Sequence, residues 1–212
     1  MFFGKMGILR IWFFCVVWML KRKLSIVAIT TGICSLFVIG GMTAIAKTSN
    51  QSPDLAFGYS IRGNVLAEIF DDRQGAIESY TQSIQLQPKR AVTYYFRAKT
   101  RYKSGDNRGA IDDFSRSIQL DSNYVAAYIS RGVAKSNLGN INQAIEDYER
   151  AIAIQPDDAN AYYNRGIARL DLSNKQGASE DLDRAAKLFQ NKGKTKESQE
   201  ALALAKSLAR KS

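Results

Sequence analysis

The sequence predicts an all-α protein, a solenoid of four helix-turn-helix repeats that a capping helix closes and an apolar segment precedes. A tyrosine with a small residue one helical turn later recurs at equal intervals, at Tyr94, Tyr128 and Tyr162. A second block follows each small residue at a constant distance and begins at Ala110, Ala144 and Ala178. Repeats with a period of roughly 34 residues are stacked supersecondary units, and none of them can bury its apolar face alone.

A fourth copy of the pattern comes earlier in the chain. It begins at Tyr59, and the step from Gly63 to Ala76 is longer by a single position than the matching step in the other copies. We place the extra residue in the turn around residues 71–73. The four repeats therefore occupy residues 56–90, 91–124, 125–158 and 159–190.

Each copy has the residue spacing of two helices. In the third copy, Tyr128 and Gly132 share one face of a first helix. Ala144 and Tyr148 share one face of a second helix, which Pro156 stops because proline cannot continue the hydrogen-bond ladder. A glycine inside a helix costs about 1 kcal/mol relative to alanine. A small residue at this position in every copy therefore indicates a close contact between the two helices.

The small residue near the start, the Ala-x-x-x-aromatic block and the terminal proline resemble the tetratricopeptide repeat. The resemblance covers about residues 56–190 and implies a right-handed superhelix. The chain departs from the family at three points. Tyrosine replaces the usual tryptophan, arginine precedes the small residue where leucine is usual, and Ser122 and Gln190 stand where Pro88 and Pro156 end the other copies.

The recurring arginine requires a partner, because a partly buried charge is costly when it is unpaired. In three copies an aspartate on the second helix follows the arginine at the same separation. We predict a ladder of structural ion pairs within the repeats, Arg97 with Asp113, Arg131 with Asp147 and Arg165 with Asp181. The alternative is a stripe of arginines that binds anions.

The resemblance also implies that the first helix of each repeat lines a concave groove. The candidate partner-binding residues on these helices are Asn64, Tyr95, Phe96, Lys99, Ile129, Val133, Asn160, Tyr163 and Asn164. Aromatic and amide side chains suit an extended or helical peptide. The alternative is that Tyr95 and Tyr163 only pack between neighbouring helices.

Some family members bind chaperones by clamping a terminal carboxylate with Lys, Asn and Arg. Here Asn64 fits one clamp position, but Phe96, Ala126 and Ser130 replace other polar members. We therefore do not expect a terminal-carboxylate clamp.

The residue pattern predicts an amphipathic helix at 195–211, after a turn. Ala201, Leu202, Ala205 and Leu208 share one face of it. Because solenoid ends need a solvating cap, we expect this helix to cover the end of the stack. A tail that binds a partner is the alternative.

The N-terminal part of the chain differs from the repeats. Residues 24–46 form an uncharged run that is long enough to span a bilayer. The bases at 21–23 precede it and a polar linker at 47–55 follows, so we expect the repeats on the non-cytoplasmic side. The run is either a retained single-pass anchor or a signal sequence cleaved near Ala46, which would leave a secreted or periplasmic protein.

Residues 1–23 are a basic and apolar segment with a short apolar run. The alternative start at Met19 would give an ordinary signal-type N-terminus. If residues 7–20 also insert into the membrane, the N-terminal part becomes a hairpin and the repeats return to the cytoplasm.

The composition argues against an enzyme and against cofactors or metals. The sequence has no histidine, and both cysteines, Cys15 and Cys34, lie in the apolar N-terminal runs. The net charge of +10 lies at the two ends, since residues 51–183 have 16 bases against 18 acids. No nucleic-acid partner is therefore expected.

These observations predict a membrane-tethered or exported adaptor that binds a protein or peptide partner in its groove. The alternative is a structural protein whose solenoids associate end to end.

Overall fold

The computed structural model describes residues 52–209, and the regular secondary structure of this part of the chain is all α-helical. The predicted segment 1–23, the anchor or signal sequence at 24–46 and residues 47–51 of the linker lie outside the described residues. The nine helices between residues 52 and 209 are α1 (Ser52–Glu68), α2 (Arg73–Leu86), α3 (Ala91–Lys103), α4 (Asn107–Leu120), α5 (Val125–Asn137), α6 (Ile141–Ile154), α7 (Ala159–Asp171), α8 (Lys175–Asn191) and α9 (Thr195–Ala209).

The helices pack in chain order, as in a solenoid of hairpins. The four repeats are the pairs α1 with α2, α3 with α4, α5 with α6, and α7 with α8. The second helix of one repeat also contacts the first helix of the next, and α1, α3, α5 and α7 contact one another in series. The first helices therefore form one continuous surface.

Helix α1 begins at Ser52, inside the segment 47–55 that the sequence indicated as a linker. Pro53 and Asp54 explain the early start. Proline is preorganised for the first turn of a helix, where its missing N–H costs nothing. A carboxylate in the first turn also interacts favourably with the helix dipole.

The turns inside the repeats use a residue in the left-handed region. Gly105 (φ 85°), Gly139 (φ 79°) and Ser173 (φ 62°) occupy equivalent places in three-residue turns. The turn between α1 and α2 has four residues, 69–72, and there Asp71 adopts φ 50°. The extra residue of the first repeat therefore lies in this turn.

Side-chain caps fix where several helices begin. The carboxylates of Asp72, Asp106 and Asp158 and the amide oxygen of Asn174 each accept a hydrogen bond from the backbone N–H three residues later, at 2.9–3.0 Å. Each cap satisfies a backbone donor that has no partner inside the helix.

The small residue of each first helix lies against a large side chain of the second helix. A Cβ atom placed on Gly132 would lie 2.5 Å from Cε1 of Tyr148, and one on Gly63 would lie 2.5 Å from Cε1 of Tyr80. Both tyrosine rings are buried. The recurring small residue is thus a close contact between the two helices of the repeat.

Helix α9 packs against α8 and closes the last repeat. Ala201 and Ala205 are buried in this contact, but Leu202 is 38% exposed. None of the helices between residues 52 and 209 is both long enough and apolar enough to span a bilayer.

Candidate functional site

A cleft opens on the surface that the first helices share. At one end it is a cavity of about 390 Å³ whose apolar side is formed by Tyr95, Val125, Ala126 and Ile129. Its polar side chains are Ser130, Gln155, Asp158, Asn160 and Asn164. We call this part the polar end.

The cleft continues into a second cavity of about 250 Å³. Its walls are mainly apolar and aromatic, with two lysines, and its residues are Tyr95, Lys99, Tyr102, Lys103, Phe114, Ile129, Ser130 and Val133. We call this part the apolar end. Because Tyr95, Ile129 and Ser130 line both cavities, the two ends form one continuous cleft.

Tyr95 stands between the two ends and is held in place by aromatic neighbours. Its ring centroid lies 4.9 Å from that of Tyr124, 5.5 Å from that of Phe96 and 5.8 Å from that of Phe114. The side chain is half-buried. Tyr95 therefore packs against neighbouring aromatic residues and also lines the cleft.

Six of the nine groove candidates line this cleft, namely Tyr95, Lys99, Ile129, Val133, Asn160 and Asn164.

The other three candidates make contacts inside the chain. The amide oxygen of Asn64 accepts a hydrogen bond from the hydroxyl of Tyr80 at 2.8 Å. Phe96 stacks on Tyr80 with ring centroids 6.3 Å apart. Tyr163 packs edge to face against Phe189 at 6.4 Å. Tyr80 lies between α1 and α3, where it contacts both Asn64 and Phe96. The repeat period alone had assigned these two residues to the groove.

Six cleft residues were not predicted from the sequence, namely Tyr102, Lys103, Phe114, Val125, Gln155 and Asp158. Tyr102 and Lys103 lie two turns after Tyr95 on the same face of α3, so the helical period could have identified them. Gln155 and Asp158 lie in the loop between α6 and α7, where helical spacing gives no signal.

The two lysines of the apolar end share one carboxylate. The ammonium groups of Lys99 and Lys103 lie 3.1 Å and 3.2 Å from the same oxygen, Oε1 of Glu68 on α1. The hydrogen bond from Lys99, followed by that from Lys103, is the main cause that holds the pKa of Glu68 below its ordinary value. The three charged groups therefore connect the first two repeats beside the cleft.

Beneath this surface an arginine and an aspartate join the two helices in each of the last three repeats. Arg97 donates to both oxygens of Asp113 at 2.7 Å and 2.8 Å, and Arg165 does the same to Asp181 at 2.7 Å and 2.9 Å. Arg131 is placed in the same way against Asp147. All three aspartates are buried. The arginines are thus engaged as structural partners of these carboxylates.

A second base joins each aspartate from one turn further along the first helix. Arg101 donates to Asp113 at 2.8 Å, Lys135 lies 2.9 Å from Asp147, and Arg169 donates to Asp181 at 2.8 Å. Two positive groups around one buried carboxylate keep it fully hydrogen-bonded.

Two of the arginines also reach the preceding repeat. Arg97 donates to the hydroxyl of Thr81 at 3.1 Å, and Arg131 donates to that of Ser115 at 3.0 Å. Each of these arginines therefore connects three helices. For Arg165, burial acts to lower the pKa, but the hydrogen bond and charge of Asp181 outweigh it and raise the pKa.

The first repeat departs from this arrangement. Ser79 stands where the other repeats have the aspartate, and its hydroxyl donates to the carbonyl of Gly75 at 2.8 Å. Arg62, the matching arginine, is exposed. The recurring arginine is therefore partly buried where a carboxylate is present and exposed where it is absent.

Between residues 52 and 209, no group of three or more acidic or cysteine side chains is arranged to hold a metal ion.

Comparison with known proteins agrees with this architecture. Residues 137–173 match a family model described as TPR repeat, which is the tetratricopeptide repeat. A comparison with curated protein sequences gives no match.

Several solved structures resemble the chain. The second TPR domain of human RPAP3, solved in complex with the HSP70 peptide SGPTIEEVD, is 27% identical. The match covers 56% of this chain and 98% of that one with a TM-score of 0.54. The first TPR of Spaghetti (RPAP3), bound to the HSP90 peptide SRMEEVD, is 24% identical over 57% of this chain and 95% of that one, with a TM-score of 0.55. The protein MamA is 22% identical over 76% of this chain and 94% of that one, with a TM-score of 0.59. The family match and the shared fold support a tetratricopeptide repeat assignment for the repeat region.

Proposed function

We propose that this chain is a non-enzymatic adaptor that holds a peptide segment of a partner protein in the cleft of its repeats. The observation that carries the proposal is the continuous cleft, apolar at one end and polar at the other, with Tyr95 fixed between the two. Apolar anchors give affinity to a bound peptide, and side-chain amides such as those of Asn160 and Asn164 hydrogen-bond to its backbone.

The similarity to the second TPR domain of human RPAP3 supports a peptide-binding role, because that domain was solved in complex with a peptide. The chain lacks the polar residues expected of a terminal-carboxylate clamp at Phe96, Ala126 and Ser130. The ligand of this cleft is therefore an internal segment of the partner rather than its C-terminus.

We also propose that residues 24–46 place the repeats at a membrane or export them. The length of this uncharged run and the bases at 21–23 support a non-cytoplasmic location for the repeats. Protease accessibility of the repeats in intact cells would test the side. Mass measurement of the mature N-terminus would distinguish a retained anchor from cleavage near Ala46.

Affinity capture with the full chain from a native membrane extract tests the adaptor role. Ser130 lines both ends of the cleft, so Ser130→Arg fills it without removing a core side chain. Ser122→Arg makes the same change in an exposed turn and serves as the control. We expect one protein to be captured by the wild type and by Ser122→Arg but not by Ser130→Arg. Equal capture by all three would reject the cleft as the binding site.

End-to-end self-association is the second candidate function. It is favoured by exposed apolar side chains on the first and last described helices, Phe57 and Ile61 on α1 and Leu202 on α9. A concentration-dependent rise in mass on sedimentation, abolished by Leu202→Gln and unchanged by Ser130→Arg, would support this candidate.

A further inference from the structure

We propose that the cleft selects an internal peptide segment in which a bulky apolar residue lies next to an acidic residue. This proposal rests on the proposed peptide-binding function and adds the chemistry of the ligand. Under it, the apolar end takes the bulky side chain, and Lys99 and Lys103 bind the neighbouring carboxylate.

The apolar end fits one large apolar side chain. Its walls combine the aromatic groups of Tyr95, Tyr102 and Phe114 with the aliphatic side chains of Ile129 and Val133. Tyr102 is fixed in this wall, because its hydroxyl accepts a hydrogen bond from the amide of Asn137 at 3.0 Å. A pocket of this kind binds through apolar contact, and a few polar groups at its edge set the orientation of the ligand.

The polar groups at this edge are cationic. Lys99 and Lys103 lie one turn apart on α3, and their side chains are 42% and 39% exposed. Each ammonium group carries three donors, and both groups converge on a single oxygen of Glu68. Two positive charges face one negative charge, so the edge of the apolar end has a net positive charge and donors left for a second carboxylate.

The polar end has no comparable attraction for an acid. Its charged residue is Asp158, whose carboxylate accepts the hydrogen bond from the backbone N–H of Ala161 at 3.0 Å. An acidic ligand residue would be repelled there and attracted at the apolar end. The charges thus set both the position of the acid and the direction of the bound segment.

Glu68 acts as an internal competitor. Its carboxylate, which is 54% exposed, occupies the lysine pair when no ligand is bound. Removing the charge with Glu68→Gln frees both ammonium groups for the ligand. Affinity for an acidic peptide should then rise.

Selection from a library of random dodecapeptides displayed on phage tests the proposal, with the full chain in detergent micelles as the target. Peptides enriched by the wild type are then measured by fluorescence anisotropy as labelled synthetic peptides. The variants are Lys99→Ala/Lys103→Ala, Glu68→Gln and Ser130→Arg. The double variant Lys175→Ala/Lys187→Ala removes the same charge from exposed positions of α8 and is the control.

We expect a consensus in which Asp or Glu lies within about two residues of Leu, Ile, Phe or Trp, the reach of neighbouring side chains on an extended segment. The lysine double variant should bind these peptides roughly fivefold more weakly, the size of a solvent-exposed ion pair, and the control double variant should not. Glu68→Gln should bind them more tightly, and added salt should weaken binding.

Two outcomes overturn the inference, and they differ in what they say of the cleft. In the first outcome, the enriched peptides do not bind Ser130→Arg but show no preference for an acidic residue. This result would refute the ligand chemistry and leave the peptide-binding function intact. Enriched peptides that bind Ser130→Arg as well as the wild type, or no enrichment at all, would refute both.

Discussion

Arg131 and Asp147 form a two-point ion pair across the third repeat, with Nη2 2.6 Å from Oδ1 and Nε 2.9 Å from Oδ2. Asp147 is 4% exposed and also lies 2.9 Å from the ammonium group of Lys135. The pair replaces the apolar contact that a leucine would make at the position of Arg131. The repeat therefore depends on a buried carboxylate whose hydrogen bonds to Arg131 join the two helices.

Replacing this carboxylate should be strongly destabilising. Asp147→Ala leaves Arg131 and Lys135 without their acceptor, and we expect it to lower the free energy of unfolding by about 3–5 kcal/mol. Glu146→Ala, on the neighbouring exposed residue, should change it by less than about 0.5 kcal/mol. Urea unfolding followed by circular dichroism measures both. Equal midpoints for the two variants would show that the buried pair does not stabilise the repeat.

The contact between Gly132 and Tyr148 gives a second prediction. A methyl group at residue 132 would lie 2.5 Å from Cε1 of the buried Tyr148 ring, so Gly132→Ala should destabilise the protein by about 1–3 kcal/mol. Gly58 is also helical, but nothing lies within 4 Å of a Cβ placed there. Gly58→Ala should therefore stabilise the protein by about 0.5–1 kcal/mol through helix propensity. Thermal unfolding should move in opposite directions for the two substitutions, and a common direction would contradict the contact.

The turns provide a prediction of the same kind for the backbone. Ser173 adopts φ 62° at the place where Gly139 adopts φ 79°. Because a left-handed conformation costs a non-glycine residue about 1 kcal/mol, Ser173→Gly should stabilise the protein and Gly139→Ala should destabilise it, each by about that amount. Denaturant midpoints of the two variants test the assignment. A loss of stability in Ser173→Gly would mean that the serine side chain matters more than the backbone strain.

Alkaline pH should weaken the fold through two buried tyrosines, Tyr80 and Tyr148, and the half-buried Tyr124. Burial is the main cause that raises the pKa of Tyr80, Tyr124 and Tyr148 from the ordinary value of 10 to about 12. The folded state then keeps these protons when the unfolded state has lost them. The contribution of these tyrosines to the free energy of unfolding is thus fully present below about pH 10 and is lost as the pH rises toward 12.

Tyr148→Phe isolates one of these groups, because phenylalanine cannot ionise. Urea midpoints measured between pH 8 and about pH 12 should fall less steeply for this variant than for the wild type above about pH 10. Parallel curves would show that the ionisation of Tyr148 is not linked to unfolding.

The repeat fold could be predicted because the same residue pattern occurs four times. The positions of Gly132 and Tyr148 follow from helical spacing within one copy, and the period extends them to the others. The ion pairs could be predicted for the same reason, since the arginine and the aspartate represented by Arg131 and Asp147 recur at a fixed separation in three repeats. The extra residue of the first turn was visible as a break in this regularity.

The cleft could be predicted only in part, because residue spacing assigns a side chain to a face of a helix but not to its contacts. The period places Phe96 and Tyr95 on the same surface, yet Phe96 stacks on Tyr80 and only Tyr95 lines the cleft. Spacing does not say which side chains each of the two aromatic residues contacts, since Phe96 packs on Tyr80 and Tyr95 packs on Phe114. Loop residues such as Asp158 follow no period and were missed.

Photocrosslinking from the cleft tests the central claim most directly. In the test variant of the full chain, p-benzoylphenylalanine replaces Tyr95, so that an aromatic crosslinker occupies the cleft wall. In the control variant it replaces Arg116, which is exposed on α4. In a native membrane extract we predict a crosslink to one partner protein from residue 95, none from residue 116, and loss of the crosslink when Ser130→Arg is added. The same partner crosslinked from both positions, or no Ser130→Arg-sensitive crosslink from residue 95, would contradict the account.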